Sequence, residues 1–150
     1  MESNELRPLL QQKFPPERNS LLPALHFLQH EFGYLPDWAL QIVGWHLRIP
    51  ASEVYGAATS YSELRVASPG RHVVRVCDGL SCWHGGGREL LAGLIDSLGI
   101  QPGETSGDGR VTLETTPCGF LCALAPAVEV DGRWQGRAAG SEADLIGDLE

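Results

Sequence analysis

No apolar run in the sequence comes near the ~20 residues that a membrane-spanning helix needs. Basic blocks are missing too. The 11 lysines and arginines are scattered among 19 acidic residues, and the formal net charge is −8. Phosphate neutralisation supplies most of a nucleic-acid binder's affinity, so nucleic acid is set aside, and the same sign argues against anionic membrane surfaces, which attract polybasic segments. The opening residues, Met1 to Glu5, are acidic and polar, without the positive start and apolar centre of a secretory signal. The expectation is a soluble, cytoplasmic chain, at most peripheral to a membrane complex. There is no G-x-G-x-x-G fingerprint and no Walker loop, and Gly85-Gly86-Gly87 is a bare triplet before a helical segment. The chain therefore reads as having no nucleotide or flavin site of its own. No Ser/His/Asp order stands out. Cysteine is scarce, at four residues. In a reducing compartment these are expected to be ligands or redox thiols rather than a disulfide staple.

The chain has 150 residues, of which 43% are hydrophobic. That suits one domain, or a compact domain with a helical extension, and is enough for a real core. With 18 glycines and 10 prolines, many turns are expected rather than one long bundle.

The first third carries helical periodicity. Leu6, Leu9 and Leu10 predict a short opening helix interrupted by Pro8. Leu21, Leu25, Leu28 and Phe32 line one face of a helix from about Asn19, with Pro23 in its first turn and Gly33 as its stop. Pro36-Asp37 opens a second helix through Trp38, Ile42 and Trp45, ended by Ile49-Pro50. A third starts at Ala51-Ser52-Glu53 and runs through Val54 and Ala58. Short helices with short links predict a small bundle. Ser68-Pro69-Gly70 reads as a turn or linker.

The pattern then changes. His72 to Val76 alternates and is β-branched, a strand that delivers Cys77 at its end. Arg88 to Leu98 predicts a helix closed by Gly99. Val111, Leu113 and Thr115 form a second strand that feeds a loop with Cys118 and Cys122. Ala127 to Val130 and Arg133 to Gln135 predict a hairpin around Asp131-Gly132. Ser141 to Asp144 is a capping box for a final helix with Leu145, Ile146 and Leu149. The order after Gly70 is β-α-β-β-β-α.

Four residues separate Cys77 from Cys82, and three separate Cys118 from Cys122. If the two strands are parallel, both pairs leave the same end of the sheet and can converge. Four soft thiolates in a sheltered pocket suit an iron–sulfur cluster. Gly79, Gly85 to Gly87 and Gly119 would let backbone approach the sulfides, and Leu80, Phe120, Leu121 and Leu124 would exclude water. Structural zinc also takes four thiolates, with two residues between paired cysteines as its commonest spacing, and ranks below the cluster. A thiol–disulfide site uses two cysteines two residues apart and ranks lower still. Cys82-Trp83-His84 has half of a Rieske pattern, but no histidine stands close after Cys118. His26, His30, His46 and His72 read as surface or packing residues. Trp38 and Trp45 are candidate docking residues, with burial as the preferred role for both.

Several segments are familiar together. They are Leu22-Pro23-Ala24-Leu25-His26, Glu31 to Pro36, Ile49-Pro50 with Glu53-Val54-Tyr55-Gly56-Ala57-Ala58-Thr59, Arg75-Val76-Cys77 to Ser81-Cys82-Trp83, Pro117-Cys118-Gly119-Phe120-Leu121-Cys122, and Ala125 to Val128. This set resembles the thioredoxin-like [2Fe–2S] subunit of NADH dehydrogenase, the small flavoprotein-arm subunit of respiratory complex I. Close relatives are the gamma subunit of NAD-dependent formate dehydrogenases and the matching subunit of NAD(P)-linked hydrogenases. The resemblance implies an α/β chain, with a helical part over 1–67 and a thioredoxin-like [2Fe–2S] domain over 70–150. It implies one cluster on Cys77, Cys82, Cys118 and Cys122. FMN and NAD are expected on a partner flavoprotein, beside further iron–sulfur subunits. The implied role is a one-electron relay without a substrate site. A zinc-stabilised interaction module and a free-standing ferredoxin are the rivals. Two segments depart from the family pattern. Ser60-Tyr61-Ser62 stands where Phe-Tyr commonly follows Thr59, and Cys118-Gly119-Phe120-Leu121-Cys122 stands where Cys-Leu-Gly-x-Cys is common.

Overall fold

The computed structural model describes residues 3–147. The chain divides into two compact units, 1–68 and 69–150.

The first unit is a helical bundle: α1 (Ser3–Lys13), α2 (Leu21–Phe32), α3 (Asp37–Leu47) and α4 (Ala51–Ser60). Its core is aliphatic, with Leu6, Leu10, Leu25, Leu28, Val43 and Val54 fully buried. Helix α1 runs straight through Pro8 instead of breaking there. A proline in a helix interior costs about 3 kcal/mol. Leu6 and Leu10 flank it on the buried face, and each contributes about 1.5–3 kcal/mol on burial, so burial wins. Gly33 ends α2 at φ 78° and gives its N–H to the Gln29 carbonyl. Trp45 is two-thirds exposed, with the Arg7 guanidinium 5.1 Å from its ring centroid, so the burial expected for it does not occur. Trp38 meets Phe32 edge-on at 5.4 Å.

The second unit has a four-stranded sheet in the order β2-β1-β3-β4. Its strands are β1 (His72–Cys77), β2 (Val111–Thr116), β3 (Val128–Val130) and β4 (Arg133–Gln135), with helices α5 (Arg88–Leu98) and α6 (Glu142–Gly147). Strand β1 pairs parallel with β2, from His72 opposite Val111 to Cys77 opposite Thr116, and antiparallel with β3. Alternation decides what is buried. Val74, Val76, Val111, Leu113 and Val128 join Leu90 and Leu94 of α5 in the core. Arg75 alternates to the other face, where its guanidinium lies between Glu114 of β2 (3.1 Å) and Glu129 of β3 (3.4 Å). Asp131 at φ 49° and Gly132 at φ 81° make the β3–β4 turn. The Ser141 hydroxyl donates back to the Ala138 carbonyl at 2.7 Å, while its carbonyl accepts from Leu145 N–H as α6 begins. Leu149, expected in that helix, lies outside the described residues. No helix among the described residues is long and apolar enough to cross a membrane.

Candidate functional site

Parallel pairing of β1 and β2 sends both cysteine-bearing loops off the same end of the sheet. Cys77 closes β1, and its N–H donates to the Ala127 carbonyl at 3.1 Å. The next amide, of Asp78, donates to the Thr116 carbonyl at 3.0 Å, so the first loop leaves already tied to the second strand. A helical turn, Leu80–Cys82, then places Cys82, and a kinked segment, Trp83–Gly87, leads into α5. Gly87 is needed there because a Cβ would sit 2.6 Å from the Cys82 carbonyl oxygen. The chain kinks within this segment at Gly86, whose φ of 104° is open to glycine and closed to most other residues.

The second loop follows Thr116 with Pro117 and Cys118, and Cys122 opens a short 3₁₀ turn, Cys122–Leu124. The two loops touch. A Cβ on Gly79 would lie 3.0 Å from the Pro117 carbonyl oxygen and 3.5 Å from Cys77 Sγ. The Gly119 N–H donates across to Cys77 Sγ at 3.4 Å, and the Phe120 N–H donates to Cys118 Sγ at 3.3 Å.

Burial divides the thiols. Cys77 and Cys82 are buried and pack with Ala127, Ala125 and Leu121, whereas Cys118 and Cys122 are exposed. Burial pushes the Cys82 thiol above its ordinary range. A backbone hydrogen bond with Ala127 opposes this, while a hydrogen bond with Cys77 and the nearby Cys77 and Cys122 charges push it further up. Cys82 is thus within electrostatic reach of Cys77 and of Cys122, and a bound metal cation favours the thiolate form of a cysteine ligand. Among the described residues, no three His, Cys, Asp or Glu side chains gather tightly enough to hold one metal ion. A binuclear cluster divides its thiolates between two irons and does not require all four around one ion. Amide donors aimed at two sulfurs and glycines at the close approaches fit such a group. His84 is exposed on the first loop.

One expectation needs correction. Leu80 is 75% and Phe120 89% exposed, and Leu124 is also exposed, so of the four residues expected to exclude water only Leu121 packs inward. Loop tips that leave a sheet end have no second layer to bury against, and the small Ala125 and Ala127 cover the buried thiols instead. Gly119 has a further reason to be small, beside the approach of its amide to Cys77 Sγ. A Cβ there would collide with the six-membered ring of Trp134 on β4. The sequence reading missed Trp134 as a neighbour of the cysteine loop. The only available signal was the displaced glycine of Cys118-Gly119-Phe120.

The profile of the thioredoxin-like [2Fe-2S] ferredoxin family matches residues 9–148. The chain is 40% identical over 114 residues to an NADH-quinone oxidoreductase subunit of Pseudomonas aeruginosa, covering 76% of this chain and 69% of that protein. It is 30% identical over 135 residues to the NADP-reducing hydrogenase subunit HndA of Solidesulfovibrio fructosivorans, covering 90% of this chain and 79% of that one. Among solved structures, an NAD+-reducing [NiFe]-hydrogenase in the air-oxidized state superposes with a TM-score of 0.73 at 28% identity. The match takes in 87% of this chain and 22% of the hydrogenase chain.

Proposed function

We propose, from the premise that this chain belongs to the thioredoxin-like [2Fe-2S] ferredoxin family, that it is an electron-transfer subunit of an NADH dehydrogenase-type module. In this reading Cys77, Cys82, Cys118 and Cys122 hold one [2Fe–2S] cluster beside a partner flavoprotein that carries FMN and binds NAD(H). The observation that carries it is the parallel register of β1 and β2, which sends both cysteine loops off one sheet end, where the Gly119 N–H of the second loop donates to Cys77 Sγ of the first. When bound, the cluster supplies one-electron chemistry between two-electron hydride carriers and further one-electron centres.

The chain's own residues do the rest. Cys77 and Cys82 anchor the buried side behind Ala125, Ala127 and Leu121. The amides of Gly119 and Phe120 place positive dipole ends on two sulfurs and favour extra negative charge there. Exposed Cys118 and Cys122, with exposed Phe120 between them in the loop, leave one edge open for close approach of a redox partner.

A second reading keeps the same role in an NAD(P)-linked hydrogenase, and it is favoured by the similarity to the NADP-reducing and NAD+-reducing hydrogenases. Anaerobic affinity purification of the tagged chain from its own cells tests both. A flavoprotein should co-purify, and the complex should give an EPR signal on dithionite reduction. Companion subunits of complex I or of a hydrogenase decide between the readings. A chain recovered alone and EPR-silent would overturn both.

A further inference from the structure

The β3–β4 hairpin touches the second cysteine loop at both ends. At the near end, the Trp134 ring occupies the space over Gly119 that any Cβ would need. At the far end, a Cβ on Gly136 would lie 2.9 Å from the Leu124 carbonyl oxygen. The Arg137 and Ala138 amides donate to the Leu124 and Pro126 carbonyls at 2.7 and 3.0 Å. Between these clamps the backbone is strained. Phe120 takes φ +58°, a region that costs a non-glycine residue about 1–2 kcal/mol. Its side chain is 89% exposed, so its own burial contributes little to offset that cost. What the strained backbone achieves is visible in the two consecutive amides, of Gly119 and Phe120, which aim at sulfurs from different loops, Cys77 and Cys118.

We infer that Trp134 is a positioning residue for the cysteine site. Its ring, seated on Gly119, holds the second loop so that the Gly119 and Phe120 amides stay directed at the Cys77 and Cys118 sulfurs. The hairpin is therefore a splint that sets the reduction potential of the bound group through these hydrogen bonds. The inference rests on the iron–sulfur reading for its effect on potential, and on the hairpin geometry alone for its effect on the loop.

The test uses the full chain with three variants: Trp134→Phe, whose shorter ring cannot reach Gly119; Gly119→Ala, whose Cβ must displace the indole; and the double variant. Amide donors stabilise the more negative, reduced state. Each single variant should therefore shift the midpoint in an EPR-monitored titration to lower potential. A tenfold change in the reduction equilibrium corresponds to about 59 mV for one electron. The double variant should lie closer to wild type than Gly119→Ala does, because the shorter ring vacates the space the methyl needs. Hydrogen exchange in the metal-free protein gives an independent readout, with the Gly119 and Phe120 amides exchanging faster in Trp134→Phe. Wild-type midpoints and wild-type exchange in both single variants would overturn the inference, as would a double variant whose shift is the sum of the two. A wild-type protein without iron would instead sink the iron–sulfur reading, and the exchange rates alone would then decide whether Trp134 holds the loop.

Discussion

Single residues set the terms at two places in the second unit. Phe120 stands in left-handed backbone with its ring in solvent. Glycine there removes the strain and gives up almost no burial, while adding some backbone entropy to the unfolded chain. Phe120→Gly should therefore raise the stability of the metal-free protein by about 0.5–1 kcal/mol, read from urea unfolding. A loss of stability would mean that the ring makes contacts on which the loop depends. At Asp131, burial pushes the carboxyl up, but the His72 hydrogen bond, the Val73 amide and the His72 charge outweigh it and leave the group below its usual range. The geometry agrees, with His72 Nδ1 at 2.8 Å and Val73 N at 2.9 Å from the carboxylate. A carboxylate lowered in the folded state contributes stability above its unfolded value of about 3.9, and that contribution is lost as pH falls through the folded value. Asp131→Asn keeps a residue that tolerates the turn, so it should flatten the stability profile below about pH 4. An unchanged acid limb would assign the dependence to other carboxylates.

At the scale of elements, the strand that delivers Cys77 carries a charge in its middle. Arg75 is only 12% exposed and sits between Glu114 and Glu129, each 16% exposed, so losing it leaves two carboxylates crowded and poorly solvated. Arg75→Ala should destabilise the second unit by about 3 kcal/mol, seen as a lower urea midpoint, and a change under ~1 kcal/mol would mean that water solvates the face freely. Much of this unit was legible in the sequence. Val74 and Val76 alternate with Arg75, Gly99 stops α5 at φ 67°, and Asp131-Gly132 makes the hairpin turn. Less visible were contacts between segments far apart in the chain. Trp134 over Gly119 is a tertiary contact with no local period, and the exposure of Leu80 and Phe120 depends on what lies above the sheet end. Pro8 was misjudged because local propensity was weighed without the burial of Leu6 and Leu10 on either side of it.

Across the whole molecule, the two units hold separate cores. One is made of Leu6 through Leu64, and the other is made of the sheet, α5 and α6, with the cysteine cluster beside it. A bound metal group stabilises the state that binds it. Stripping iron with a chelator and reductant should therefore lower the unfolding midpoint of the sheet-containing unit. The midpoint of the helical bundle, read by hydrogen exchange at its buried Leu25, Leu28 and Val43, should move less. Equal shifts in the two units would mean that they unfold together.

The most direct measurement is the iron and acid-labile sulfide content of anaerobically purified protein. The expected result is two irons and two sulfides per chain, as the [2Fe-2S] family membership requires, lost together when Cys77 or Cys82 is replaced by alanine. Zinc in place of iron, with no labile sulfide, would contradict the assignment of the four cysteines.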